Sequence, residues 1–163
     1  MVRKITVLMP VIVAAIIIGS AGLVFIPSNI KNTSIKFHEG KVRINSDEIK
    51  VEIAKTAVEK QRWLMFREEK LPFNSAMMLI YEKPDLYSIW LINIQYNLDL
   101  VWFDENGHVV YIAKDKSPCK NLFDVAGCTY KNTKPAKYII SATSGFIDIH
   151  KITFGSKLEI LSL

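Results

Sequence analysis

This chain is poor in the residues that most often announce a chemistry. Its 163 residues include only two cysteines and three histidines, with seven glycines and six prolines. His38, His108 and His150 show no metal-ligand spacing, and there is no Gly-x-Ser-x-Gly elbow and no glycine-rich phosphate loop. No histidine lies near either cysteine in sequence, which argues against a Cys/His zinc site. Cys128 is followed by Thr-Tyr-Lys-Asn, so the close His and Met of a copper electron-transfer centre are missing. A basic stripe with interleaved aromatics is also lacking. The net charge is +5, but Arg3 and Lys4 precede an apolar stretch, and the other 19 basic residues are interspersed with 16 acidic ones. That is a solvated surface rather than a nucleic-acid face. No nucleic acid, no metal and no cofactor is expected, and no internal repeat is visible.

What the chain does have is a long apolar run. Residues 5–26 carry no charge, and Pro10 is the one strong helix breaker among them. A bilayer core of about 30 Å needs about 20 helical residues, so the run is long enough to span. Arg3 and Lys4 before it predict an N-terminus inside and residues 27–163 on the extracytoplasmic side of the cell membrane, as a single-pass anchor. A cleaved signal is the alternative, with Gly19-Ser20-Ala21 as small residues of the cleavage type, although Leu23–Ile26 continue the run past them. Outside the cytoplasm Cys119 and Cys128 are expected to form a disulfide. So short a ring contributes about 2–3 kcal/mol. Asn32-Thr-Ser34 is an N-glycosylation acceptor pattern on an exported chain.

The pattern divides the chain into an anchor over 1–26, a polar tether over 27–40 and a single β-rich globular domain over 41–163. Lys41–Asn45 and Glu48–Ile53 alternate as a half-buried hairpin. Thr56-Ala-Val-Glu59 is a capping box opening a short helix that runs to Phe66. Ala76–Tyr81 and Leu86–Leu91 read as strands with a turn at Glu82–Asp85. Asp99–Phe103 and His108–Ile112 flank a second hairpin turn through Asn106-Gly107. The segment 114–136 reads as a loop, Lys137–Ile140 and Lys157–Leu161 as strands, and Ser144–Ile152 as a short helix or a turn. The predicted fold class is mainly β (α+β). It is a compact antiparallel barrel or sandwich of about seven short strands with one or two short helices, behind an N-terminal transmembrane helix.

Several pieces recur in a fixed order: Leu64-Met-Phe-Arg67, Leu71-Pro72, Ala76-Met-Met-Leu79, Trp90-x-x-Asn93, Leu98-Asp99, Phe103-Asp-x-x-Gly107, Pro118-Cys119, Cys128, Lys137-Tyr138 and Gly145 with Gly155. In this order they resemble the domain-of-unknown-function 192 family over roughly residues 41–161. The resemblance implies a small β-rich, barrel-like domain, often exported, mostly in bacteria and archaea. It implies no established activity and no catalytic residue. The chain departs from the family pattern at five positions. Trp63 stands for a Gly, Ile92 and Ile94 for the Lys and Thr of Trp-Met-Lys-Asn-Thr, Asn97 for a Pro, and Ser141 for a Glu.

The residues themselves nominate Arg67, Trp90, Asn93 and Asp99 as a candidate binding pocket. The Arg67 fork can clamp a carboxylate or phosphate, or pair structurally with Asp99 or a carbonyl. Asp99 sits in an apolar strand, where a carboxylate is costly to bury unpaired. It is therefore either a fold-determining acceptor or a site carboxylate. Asn93 reads as a backbone-bonding strand end, and Trp90 as core or as a ligand platform. Met65, Met77 and Met78 offer thioethers that suit Cu(I), but their apolar flanks favour packing. The leading expectation is a membrane-anchored binding or interaction module whose partner is a small anion, a glycan or an envelope protein. The alternatives are an envelope-acting hydrolase or transferase using Asp99, and a non-catalytic accessory subunit of an envelope complex.

Overall fold

Strand β1 (His38–Ile44) turns at Asn45-Ser46 into β2 (Asp47–Ala54), and Asn45 takes the turn at φ 57°. The pairing runs in register from Ile44 opposite Asp47 out to His38 opposite Ile53. Ile49, Val51 and Ile53 are buried while Lys50 is exposed, as the alternation predicts. The computed structural model describes residues 35–120 and 126–163. The apolar run over 5–26, Asn32 and most of the expected tether lie outside those residues. The last three tether residues, from His38, are already paired in β1.

The capping box is formed. Thr56 Oγ1 accepts from the Glu59 amide at 3.2 Å, and Glu59 Oε2 accepts from the Thr56 and Lys55 amides at 2.8 Å each. These two amides, Thr56 first, hold the Glu59 carboxyl below its ordinary pKa. Helix α1 is Ala57–Arg62, shorter than expected. It stops because Trp63 adopts φ 21° and ψ −111°, outside the helical region. Residues after α1 lead back so that β3 (Ser75–Asp85) lies parallel to β2, Lys50 beside Ser75 and Ala54 beside Leu79. Parallel strands need a crossover, and the short helix is that crossover.

The remaining strands are β4 (Ser88–Trp90), β5 (Leu98–Phe103), β6 (Val109–Lys116), β7 (Thr129–Lys131), β8 (Ala136–Thr143) and β9 (Leu158–Ser162), with helix α2 (Phe146–Ile149) before the last. Nine strands are thus present among the described residues. Seven form a mixed sheet in the order β6-β5-β8-β3-β2-β1-β9, and β4 and β7 form a separate ribbon. The expected antiparallel barrel is corrected on two counts. The β2–β3 pair is parallel, and the sheet stays open, since its outer strands β6 and β9 meet only through an antiparallel bridge between His108 and Lys157.

Both faces of the sheet are covered. On one lies an apolar cluster that includes Val42, Val51, Met78, Val101, Phe103 and Ile140, closed by Phe146 and Ile147 of α2. On the other, Met77, Leu79, Leu100, Trp102 and Ile139 are buried too. There Trp102 Nε1 donates to the Tyr87 carbonyl at 3.2 Å, Thr143 Oγ1 to Leu71 O at 2.7 Å and Lys60 Nζ to Ile80 O at 3.1 Å. Segments 60–71 and 86–97 therefore roof this face. Met77 and Met78 point to opposite faces, so a converging thioether cluster is not built. Cys119 and Cys128 form the expected disulfide, and backbone bonds from Cys119 N to Leu91 O and from Leu91 N to Cys128 O pin the ring to the roof.

Two measurements test this arrangement. Gly107 has φ +82°, and a Cβ there would come within 2.2 Å of the Leu158 carbonyl oxygen, whereas Gly155 has room. Gly107→Ala is expected to lower unfolding stability by more than about 1 kcal/mol and Gly155→Ala to leave it nearly unchanged, in urea denaturation. Burial, and then the stacked Tyr87 ring 3.5 Å away, push the Tyr81 phenol up to about 12. The folded state therefore favours the neutral phenol. Its contribution is fully present below the ordinary tyrosine value near pH 10 and is lost as pH rises to about 12. An ultraviolet titration should show one tyrosine ionising near the upper value.

Candidate functional site

Arg67 does not meet Asp99. Its fork is closed on Glu52, with Nη1 to Oε1 at 2.8 Å and Nη2 to Oε2 at 2.5 Å. The pairing follows from the crossover: Glu52 is on the roofed face of β2, and the segment after α1 passes over that face. The bond to Glu52 holds the Arg67 guanidinium above its ordinary pKa. Tyr96 stands in the same field. Burial raises its phenol pKa, while Arg67 and then the Leu71 amide draw it down. The Tyr96 hydroxyl is buried and closes no hydrogen bond of good geometry.

Three of the four nominated residues are linked on the roof. The Phe66 amide, next to Arg67, donates to the Asn93 carbonyl at 2.8 Å. Asn93 makes this contact with its backbone at φ 53° while its side chain is exposed. Three residues earlier Trp90 pairs with Thr129 across the β4–β7 ribbon and leaves 45% of its surface open. Trp63 is buried under the same roof. Its φ of 21° explains in backbone terms why a Gly is the usual residue of the family pattern there.

Asp99 is the exception. It lies in β5, all six of whose residues are buried, and it points to the face opposite the roof. Oδ1 accepts from the Asp115 amide at 2.8 Å, and Oδ2 accepts from the Gly145 and Ile147 amides at 3.0 and 2.9 Å. Gly145 is the N-cap of α2 and has no side chain to cap with, so Asp99 performs that task from a neighbouring strand. Outside it, Asp115 Oδ1 accepts from Ser144 Oγ at 2.6 Å and Asn97 Nδ2 at 2.9 Å. These two bonds, Ser144 first, hold the Asp115 carboxyl below its ordinary pKa.

Pattern reading missed two features. A cavity of about 420 Å³ opens beside the Arg67–Glu52 pair, lined among others by Lys41, Lys50, Glu52, Leu71, Pro72 and Ser75. The hairpin register was its signal, because the turn at Asn45-Ser46 dictates which charges of β1 face those of β2. His150 is the second. Its Nδ1 lies 2.7 Å from Asp47 Oδ2 and its Nε2 2.7 Å from the Phe73 carbonyl. No local pattern marked this role, since both partners come from elsewhere in the chain.

The geometry defines a class: a roofed mixed-sheet domain with a structural buried carboxylate and a side cavity. The family model of domain of unknown function 192, described as Uncharacterized ACR, matches residues 40–160, and the chain belongs to that family. Among solved structures, it is similar to a Sinorhizobium meliloti 1021 protein provisionally described as a transcription regulator. That match has a TM-score of 0.69 and 17% identity and covers 78% of this chain and 97% of the other. A protein of unknown function from Novosphingobium aromaticivorans DSM 12444 is similar at TM-score 0.69 and 21% identity, covering 78% and 89%. These likenesses show the fold. No curated protein matches.

Removing Asp99 and removing Arg67 are expected to differ in size. Asp99→Ala strands three amides and should cost about 3 kcal/mol or more. Arg67→Ala breaks a pair whose side chains are each 28% exposed and should cost about 1 kcal/mol. Chemical denaturation of the two variants side by side checks the ranking, and equal losses would contradict it.

Proposed function

We propose that this protein is a non-catalytic binding module for a small ligand, held on the extracytoplasmic side of a membrane by residues 5–26. The observation that carries the reading is the cavity of about 420 Å³ beside the Arg67–Glu52 pair, with charged walls from β1 and β2 and an apolar wall from Leu71 and Pro72. Such a mixture of apolar surface and a few placed polar groups is what small-ligand sites present. The Cys119–Cys128 disulfide supports an oxidising compartment, and the length of the apolar run supports the anchor.

The hydrolase or transferase reading draws little support. Both Asp99 oxygens are taken by backbone amides, which suits a structural acceptor better than an acid or base. In the cavity Ser75 Oγ faces Asn74 Oδ1 at 3.4 Å rather than a basic nitrogen, so a nucleophile–base pair is not assembled. The interaction reading has one specific observation in its favour: Phe66 and Trp90, 48% and 45% exposed, stand on the roof with Asn93 between them in the bonding pattern. This is a contact surface of the kind an envelope protein or a glycan would use.

The test is ligand-observed screening of the full chain in detergent against a library of small organic compounds, with amide shifts assigning each hit. The reading expects hits that perturb Lys50, Leu71 and Ser75. Hits confined to Phe66, Asn93 and Trp90 would favour the interaction surface, and an unperturbed cavity would overturn the small-ligand reading. Cell fractionation with and without residues 1–26 tests the anchor: the shortened chain should leave the membrane fraction.

A further inference from the structure

The β1–β2 register sets like charges face to face. Lys41 stands opposite Lys50, and Glu39 opposite Glu52. Directly opposed like charges destabilise a strand pair. The acidic pair is relieved, because Glu52 gives both carboxylate oxygens to Arg67. The basic pair is not. The ion pairs formed by lysine and arginine side chains among the described residues involve Arg43, Arg67 and Lys114, leaving the Lys41 and Lys50 ammonium groups without a carboxylate. Both line the cavity.

Resting on the ligand-binding reading above, we propose that the cavity takes a small oxyanion, a carboxylate or a phosphate monoester, seated between Lys41 and Lys50. The wall around the two ammoniums is built for it. Ser75 lies beside Lys50 in the parallel register. Ser162 Oγ accepts from the Lys41 amide at 3.1 Å, so its own proton remains available to a ligand. Strand β9 comes in close at this point, since a Cβ on Gly40 would meet the Ser162 carbonyl at 2.5 Å. Leu71 and Pro72 provide an apolar seat for the body of the ligand. Glu39 is two residues along β1 from Lys41, roughly 7 Å by the rise of a strand. An amine or hydroxyl at that distance from the anionic group completes the match.

The experiment compares the full chain in detergent with Lys41→Gln, Lys50→Gln, the double variant and Lys50→Arg. Each is titrated with sodium phosphate and, separately, sodium acetate against sodium chloride at matched ionic strength, and amide shifts and thermal midpoints are followed. The expected result is saturable shifts at Lys41, Lys50, Ser75 and Ser162. Each glutamine variant should weaken binding at least five-fold, and Lys50→Arg should stay within about two-fold of the wild type. In chloride alone the glutamine variants should melt no lower than the wild type, because a repulsion has been removed. Lysines with a merely structural role would give the opposite sign. Response to phosphate alone identifies the phosphate source, and response to acetate alone the carboxylate source. Unchanged affinity in the double variant, or no response beyond chloride, overturns the proposal. If neutral compounds still occupy the cavity in that case, the ligand-binding reading stands without the anion; if none do, both fall.

Discussion

The carboxylate of Asp99 is the point on which the irregular parts of this domain depend. It is buried in a strand that, alone among the described strands, is covered over its whole length, and a buried carboxylate must find donors. Its donors come from two places where the backbone leaves ordinary geometry, Asp115 at φ 49° and Gly145 at φ 99°, together with the Ile147 amide. Those conformations turn amides toward β5. The consequence reaches the core, because α2, only four residues long, carries Phe146 and Ile147 into the apolar cluster. A helix of one turn has no stability of its own, so the Asp99 cap and this packing hold it together.

From α2 the constraint continues to the cavity. His150 follows the helix directly and joins Asp47 at the start of β2 to the Phe73 carbonyl, while the Asn45 side chain donates to the His150 carbonyl at 3.2 Å. Phe73 belongs to the same short segment as Leu71 and Pro72, and Thr143 holds Leu71 from β8. The apolar wall of the cavity is therefore fixed from two sides, by a hydroxyl at the end of β8 and by an imidazole at the end of α2. A wall held in this way is pre-organised.

Much of this was legible in local sequence. The first hairpin, the Asn106-Gly107 turn, the Thr56–Glu59 capping box and the disulfide are all short-range chemistry, and the alternation in β2 assigned its faces correctly, although the first turn falls at Asn45-Ser46, one residue before the Ser46-Asp47 that the pattern suggests. Partner choice was not legible. Periodicity identifies a strand but says nothing about its neighbour, so the parallel β2–β3 pair was read as part of an antiparallel set. Arg67 was given Asp99 or a carbonyl as its structural partner for the same reason. Glu52 is nearer in sequence, but only the crossover through α1 brings the two together. The roof was misjudged at Trp63, where a helix-compatible sequence hides a backbone turn usually given to glycine.

The departures from the family pattern become coherent in electrostatic terms. Position 141 lies in the centre of the sheet, fully buried, opposite Met77 on one side and Leu100 on the other. A glutamate there would need a cation or several donors to be tolerated. This chain has Ser141 instead, and its buried hydroxyl makes no hydrogen bond, which costs far less than an unpaired charge. Ile92 and Ile94 remove the cation and hydroxyl of the pattern at the same time, and Ile94 is buried. Charge on this face is displaced outward, to the Arg67–Glu52 pair at the cavity edge and to Lys41 and Lys50 beyond it. With the Arg67 fork closed on Glu52, Lys41 and Lys50 are the cationic residues lining the cavity among the described residues.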